Sequence, residues 1–163
     1  LERDMYHNGI SFLQSKGYDH YEISNFAKEG SRCKHNLFYW KLKPYIGFGI
    51  AAHSNLDHKR FWNFDKFKDY YSSLKDRRFP ILGEETIDKE MEIAEYLIMG
   101  LRLIEGIDKK EFFNRFQLKV EDIYNELLIK YEKEGLLYVD GERIRFTLKG
   151  LDLTNIVYVD LLP

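Results

Sequence analysis

The sequence predicts a mixed chain of the α/β (α+β) kind that ends in a winged-helix-like helical module carrying a β-hairpin. Three observations carry this. A helical period at the start passes, after a glycine, into an alternating stretch. The second half holds three helical periods, a hairpin around Asp140-Gly141 and a closing helical period. Charge and aromatic content also divide the chain. Residues 1–83 hold 14 Lys and Arg against 9 Asp and Glu, with 17 of the 26 aromatics, whereas residues 84–163 hold 11 against 18. We read two units, 1–83 and 84–163.

Tyr6, Ile10 and Leu13 recur at helical spacing, so residues 2–16 are expected to form a helix stopped by Gly17. His20 to Phe26 alternates, with Tyr21 and Ile23 on one side and Glu22 and Ser24 on the other, as a strand does. A helix feeding a strand is the second half of a βαβ unit. Residues 28–36 are loop-like, Tyr45 to Ala52 reads as a strand interrupted by glycines, Lys59 to Asn63 as a short strand opposite it, and Phe64 to Leu74 as a helix. Pro80 to Glu85 looks like a linker. Ala94, Leu97, Ile98 and Leu101 mark a helix over roughly 87–103, and Asp108 with Glu111 has the spacing that caps a short helix. Ile123, Leu127 and Tyr131 mark a third helix ended by Gly135. The hairpin joins residues 136–139 to 144–147, and a last helix is expected from Leu148 to Leu161.

Composition narrows the function. No apolar run approaches the ~18 residues of a membrane span. The start, Leu1-Glu2-Arg3-Asp4, carries both signs of charge and is no secretory signal. Lacking a methionine, it reads as part of a longer protein. Cys33 is the sole cysteine, which excludes an internal disulfide and fits a reducing cytoplasm. It also excludes an all-cysteine iron–sulfur or zinc cage built from this chain alone. The winged module raises DNA binding, but its third helix opens on Glu121, Asp122 and Glu126, which would repel phosphates. No nucleic-acid partner is expected.

The most chemical stretch is His35-Asn36-Leu37-Phe38-Tyr39-Trp40, an imidazole and a carboxamide beside three aromatics. A neutral imidazole is a common ligand of haem iron, and aromatic walls suit a porphyrin. Equally, Phe38, Tyr39 and Trp40 pack against a sheet while His35 and Asn36 cap a turn. Gly47-Phe48-Gly49 lacks the dinucleotide fingerprint and marks a bulge or a close approach to backbone. His53 and His58 stand five apart without a third ligand, and Cys33-Lys34-His35 is equally thin as a metal site. Glu22, Ser24 and Asn25 either face a pocket at a strand end or line a solvated edge.

These stretches fall into one pattern. Tyr21-Glu22-Ile23-Ser24-Asn25-Phe26-Ala27, the HNxxYW run at His35 to Trp40, and Gly47-x-Gly49-x-x-Ala52-His53-Ser54 resemble the radical S-adenosylmethionine proteins of the oxygen-independent coproporphyrinogen III oxidase type. Thr147-Leu148-Lys149-Gly150-Leu151, after the hairpin, is similar to that family's C-terminal domain. HNxxYW resembles the haem chaperone branch rather than the true oxidases. The resemblance implies that residues 1–27 are the last helix and strand of a partial (β/α) radical S-adenosylmethionine barrel, followed to residue 83 by a pocket segment. It implies haem binding at His35, with His35 as ligand to the haem iron and Asn36, Tyr39 and Trp40 completing the motif. Gly47, Gly49 and Ala52 would lie near S-adenosylmethionine, although Ile50 and Ala51 stand where the family usually has small residues or proline. Implied partners are haem or porphyrin and haem-accepting client proteins, with at most peripheral membrane contact through those clients. S-adenosylmethionine and a [4Fe–4S] cluster are implied only for a full-length parent. The CxxxCxxC cluster motif is absent, so the chain alone is expected to hold no catalytic residue for this chemistry. Two alternatives stand beside the chaperone: an oxidase converting coproporphyrinogen III to protoporphyrinogen IX, and a C-terminal unit that serves only as a protein-docking module.

Overall fold

The spacing of Tyr6, Ile10 and Leu13 becomes α1 (Glu2–Ser15) in the computed structural model, which describes residues 1–163. The helix buries Ile10 and ends at Gly17, whose φ of +75° turns the chain. The alternating stretch that follows is not one strand. It folds into a hairpin of β1 (Asp19–Glu22) and β2 (Asn25–Ala27), paired antiparallel. The reason is local: the Glu22 carboxylate accepts hydrogen bonds from the Asn25 side chain and from the Ser24 backbone N–H, which fixes a turn at Ile23-Ser24. Glu22 is fully buried there, whereas Ser24 and Asn25 stay exposed at the turn. Helix α2 (Lys34–Trp40) occupies part of the segment expected to be loop.

The next unit begins at Lys43. Tyr45 pairs with Asn55 as an isolated bridge, but the expected strand over 45–52 is a looped segment. Gly49 and Ala51 both take positive φ (103° and 55°), which no strand tolerates. Side chains hold the loop instead: Ser54 Oγ accepts from the Gly47 N–H at 3.0 Å, and Asn63 Nδ2 donates to the Gly49 carbonyl at 2.8 Å. Strands β3 (His53–Leu56), β4 (Lys59–Asn63) and β5 (Ile81–Thr86) form an antiparallel sheet in that order. Asp57 and His58, at φ of 53° and 59°, make the tight hairpin turn whose twist matches the strands. The stretch read as a linker is thus β5, seated by ion pairs from Lys59 to Glu84 and from Arg60 to Glu85. Helix α3 (Phe67–Lys75) starts three residues later than expected.

Helix α4 (Lys89–Gly100) buries Ile93, Ala94, Tyr96, Leu97 and Gly100 at helical intervals. After it, β6 (Ile107–Asp108) leads into α5 (Lys109–Phe116), capped by the Asp108 carboxylate, which accepts from the N–H groups of Lys110 and Glu111. Helix α6 (Val120–Lys133) ends at Gly135, which takes φ +69°. The hairpin appears as β7 (Leu137–Val139) and β8 (Arg143–Phe146). The sequence reading missed β6, two residues long, which pairs with β8 to complete a three-stranded wing. The expected last helix is two, α7 (Leu148–Leu151) and α8 (Thr154–Leu161). Their core centres on Phe112, Leu97, Tyr131 and Ile144, all almost inaccessible to solvent.

The chain resolves into two compact units: Leu1–Leu42 together with Ile93–Pro163, and Lys43–Glu92. This differs from the division at residue 83 suggested by charge. Backbone bonds explain why the first residues join the helical module: Ile23 N–H donates to Arg102 O at 3.0 Å and Ile104 N–H to Tyr21 O at 3.1 Å. All strand pairings in the three sheets are antiparallel.

The module makes one sharp stability prediction. A Cβ on Gly150 would come within 2.0 Å of the Leu136 carbonyl oxygen, whereas one on Gly141 meets nothing within 4 Å. Gly150→Ala should therefore lower unfolding free energy by about 2 kcal/mol or more, in the range of overpacked cores. Gly141→Ala should lie within about 0.5 kcal/mol of wild type. Urea unfolding followed by circular dichroism reads both.

Candidate functional site

Helix α2 carries the four motif residues, and it separates them into two pairs. At its N-terminal end His35 is exposed. The ring of Tyr39, one turn on, meets its imidazole edge-to-face at 4.9 Å between centroids and 85° between planes. Neither ring nitrogen of His35 is hydrogen-bonded, and the Asn36 carboxamide makes no bond either. The N-cap is Cys33, without a side-chain cap bond, so His35 and Asn36 do not cap the turn. Phe38 is 54% exposed and does not pack into a core. The ordinary packing account of this run therefore holds only for its other end.

That end is tied down. Trp40 lies under the guanidinium of Arg102, 4.3 Å from the ring centroid. Leu42, two residues on, is buried in the same hydrophobic cluster as Tyr96 and Phe116. Leu42 takes a φ of +44°, an uncommon conformation for a bulky residue, and strain of this kind costs on the order of 1–3 kcal/mol. Burial of a leucine side chain contributes about 1.5–3 kcal/mol, and a bond from a charged donor about the same again. Arg115 supplies that bond, its Nη1 donating to the Leu42 carbonyl at 3.1 Å. Burial and bond together outweigh the strain. The C-terminal end of α2 is thus fixed to the helical module while its N-terminal end stands free.

Trp40, Lys41, Glu105, Asp108, Glu111 and Arg143 border a small, partly open cavity of ≈ 40 Å³, room for a few water molecules. Three buried polar side-chain atoms lack partners: Trp40 Nε1, Arg102 Nε and the Tyr158 hydroxyl. Sequence reading missed Arg102 and Tyr158, which lie far from the motif in the chain and carry no pattern of their own.

Gly47, Gly49 and Ala52 belong to the other unit. A Cβ on Gly47 would meet the His53 carbonyl at 2.2 Å, so its missing side chain is accounted for by the chain's own backbone. Gly49 differs, since nothing lies within 4 Å of its Cβ position. His53 stacks on Trp62 at 5.8 Å, and His58 Nδ1 lies 3.0 Å from the Glu92 carboxylate, so each has a structural partner. No group of three or more His, Cys, Asp or Glu side chains is arranged to hold a metal ion. With Cys33 alone as thiol, the residues present do not fit a [4Fe–4S] cluster. No helix is long and apolar enough to cross a membrane.

Burial pushes the Tyr158 phenol from 10.0 up to about 12, against a smaller opposing pull from the Arg102 charge. A phenol whose folded pKa is raised stabilises the fold fully below its unfolded value and loses that contribution as pH rises through the folded value. Stability should therefore fall between about pH 10 and 12. Tyr158→Phe should flatten that part of a plot of urea midpoint against pH, with little loss at pH 7, because the hydroxyl it removes is unpaired.

Residues 87–153 match the family model described as the HemN C-terminal domain. The chain is 34% identical over 155 residues to the heme chaperone HemW of Lactococcus lactis, covering 95% of this chain and 40% of that protein. It is 32% identical over 157 residues to the heme chaperone HemW of Bacillus subtilis, covering 96% and 41%. The chain thus spans about 40% of the length of these relatives. Its fold matches that of the coproporphyrinogen III oxidase HemN from Escherichia coli, a radical SAM enzyme, with a TM-score of 0.73 over 97% of this chain and 40% of that one, at 19% identity. The tied and free ends of α2 thus sit in a sequence that matches the HemW chaperones over almost its whole length. The chain thus carries the HemN C-terminal domain over residues 87–153 and is similar along almost its whole length to proteins named heme chaperone HemW.

Proposed function

We propose that this chain is the C-terminal part of a haem chaperone, which binds haem as cargo and passes it to client proteins. The observation that carries the proposal is the exposed His35, with both ring nitrogens free, on a helix whose other end is anchored. A neutral imidazole donates a ring-nitrogen lone pair to haem iron. Here that lone pair is not committed to any group of the protein. Tyr39 limits rotation of the ring by its edge contact, and Asn36 offers an unengaged donor and acceptor one residue away. An exposed ligand suits cargo that must leave: a client can displace it without opening a core.

In the full-length protein we assign S-adenosylmethionine to the vicinity of Gly49, with Gly47 and Ala52 shaping its loop. The open space at Gly49 supports this assignment. S-adenosylmethionine there would supply radical chemistry only with a cluster held by residues outside this chain. Within the chain, the winged module of residues 93–163 is the part that clients meet, and its acidic balance disfavours nucleic acid as the partner.

Titration of the chain with haem, followed by the Soret band, tests the reading. Wild type should show a shifted Soret band on binding. His35→Ala should weaken binding at least about tenfold, the loss of one coordination bond being worth more than about 1.4 kcal/mol. Cys33→Ser should leave affinity unchanged, because the thiol is not the assigned ligand. Unaltered haem affinity in His35→Ala would end the role of His35.

A further inference from the structure

We propose that the porphyrin lies against Phe38, with one of its propionate carboxylates paired to the Lys34 ammonium. This rests on the haem-binding reading and adds to it two residues outside the HNxxYW motif that select the ligand. Successive residues of an α-helix stand about 100° apart around its axis, which places Phe38 between Lys34 and His35 on one face. Phe38 follows His35 by three positions and Lys34 by four, the spacings at which helical side chains are neighbours. All three are exposed, and no residue of α2 is buried. The face is therefore open to solvent, and a flat ligand meets it without any cavity having to form.

Each of the two residues departs from what the fold alone would choose. Lys34 is the first residue of α2, where the partial positive charge of a helix end disfavours a cation. The first turn holds no Asp or Glu to offset it. The Lys34 ammonium has no ion pair or hydrogen bond within the chain. Its neighbours are committed: Arg32 pairs with Asp19 and lies 3.7 Å from Glu105, and Lys41 borders the small cavity together with Glu105, Asp108 and Glu111. Phe38 holds more than half its surface in water, while Leu42, one turn on, is buried. An exposed phenyl alone is ordinary. Beside an imidazole with free nitrogens and a cation without a counter-charge, it completes a pattern. Across the face run imidazole, phenyl and ammonium; haem presents iron, apolar ring and carboxylate from centre to rim. The ring stacks on the phenyl, and the carboxylate supplies the negative charge missing beside Lys34.

Soret titration of the 163-residue chain with haem and with haem dimethyl ester tests this. Wild type should bind haem about three- to fivefold tighter than the ester, as an exposed charge pair predicts. Lys34→Gln should erase that preference and leave ester affinity unchanged, and Lys34→Arg should keep it. Raising the ionic strength should shrink the wild-type preference. Phe38→Ala should weaken both forms at least about fivefold, whereas Phe38→Tyr should bind both as wild type does. Lys41→Gln is the control and should match wild type, since carboxylates share its cavity. Equal loss of preference in Lys41→Gln would overturn the proposal, showing general attraction of an acid to basic residues. So would wild-type behaviour of Lys34→Gln or of Phe38→Ala. Failure of the iron-ligand reading looks different: His35→Ala would leave haem affinity intact while the effects at Lys34 and Phe38 persist. A wild-type chain that binds neither form overturns both.

Discussion

The burial of Leu42 is the constraint on which the rest depends. It forces a leucine into a positive φ, and the helical module compensates by enclosing the side chain and bonding its carbonyl to Arg115. Everything before Leu42 inherits a fixed direction from it. Helix α2 runs back from that anchor by seven residues and ends with His35 in solvent. A helix this short has little stability of its own, since isolated helices under about 12–15 residues are marginal in water. Its order is borrowed from the module. The winged unit is therefore more than an appendage: it sets where the motif points.

How much of this was legible in the sequence varies with the range of the interaction. Local patterns read well: the helices around Ile10, Leu97 and Leu128 follow spacing, Asp108 caps α5, and Asp140-Gly141 turns the hairpin. The failures have physical causes. The alternation of His20 to Phe26 looked like one strand because a turn made by the Glu22 side chain leaves no signature in hydrophobic period. The glycine stretch looked like a strand because nothing local shows that Ala51 adopts a left-handed conformation. β5 looked like a linker because its exposed charges are satisfied across the sheet by Lys59 and Arg60.

The site shows the same split. His35 to Trp40 stood out by residue type, and the family resemblance gave the run a purpose. Nothing in the run itself said which residues were committed to packing. The structure divides it: Trp40 is held by Arg102, whereas His35 and Asn36 are unengaged. Arg102 and Tyr158 could not be found from the sequence, because their significance lies in lacking partners, a property only three dimensions reveal. The division of charge at residue 83 was real in composition yet did not coincide with compaction, since backbone bonding to Arg102 and Ile104 brings the opening hairpin into the helical unit.

Amide hydrogen exchange across α2 tests the anchored-helix account most directly. The N–H groups of Lys41 and Leu42 bond to the carbonyls of Leu37 and Tyr39 at 3.0 and 2.9 Å. If the module holds this end of the helix, both amides should exchange with the slow class that includes Leu97 and Leu101, since all open only when the core opens. Exchange of Lys41 and Leu42 as fast as that of the exposed turn at Glu29-Gly30, with the core amides still protected, would contradict the account.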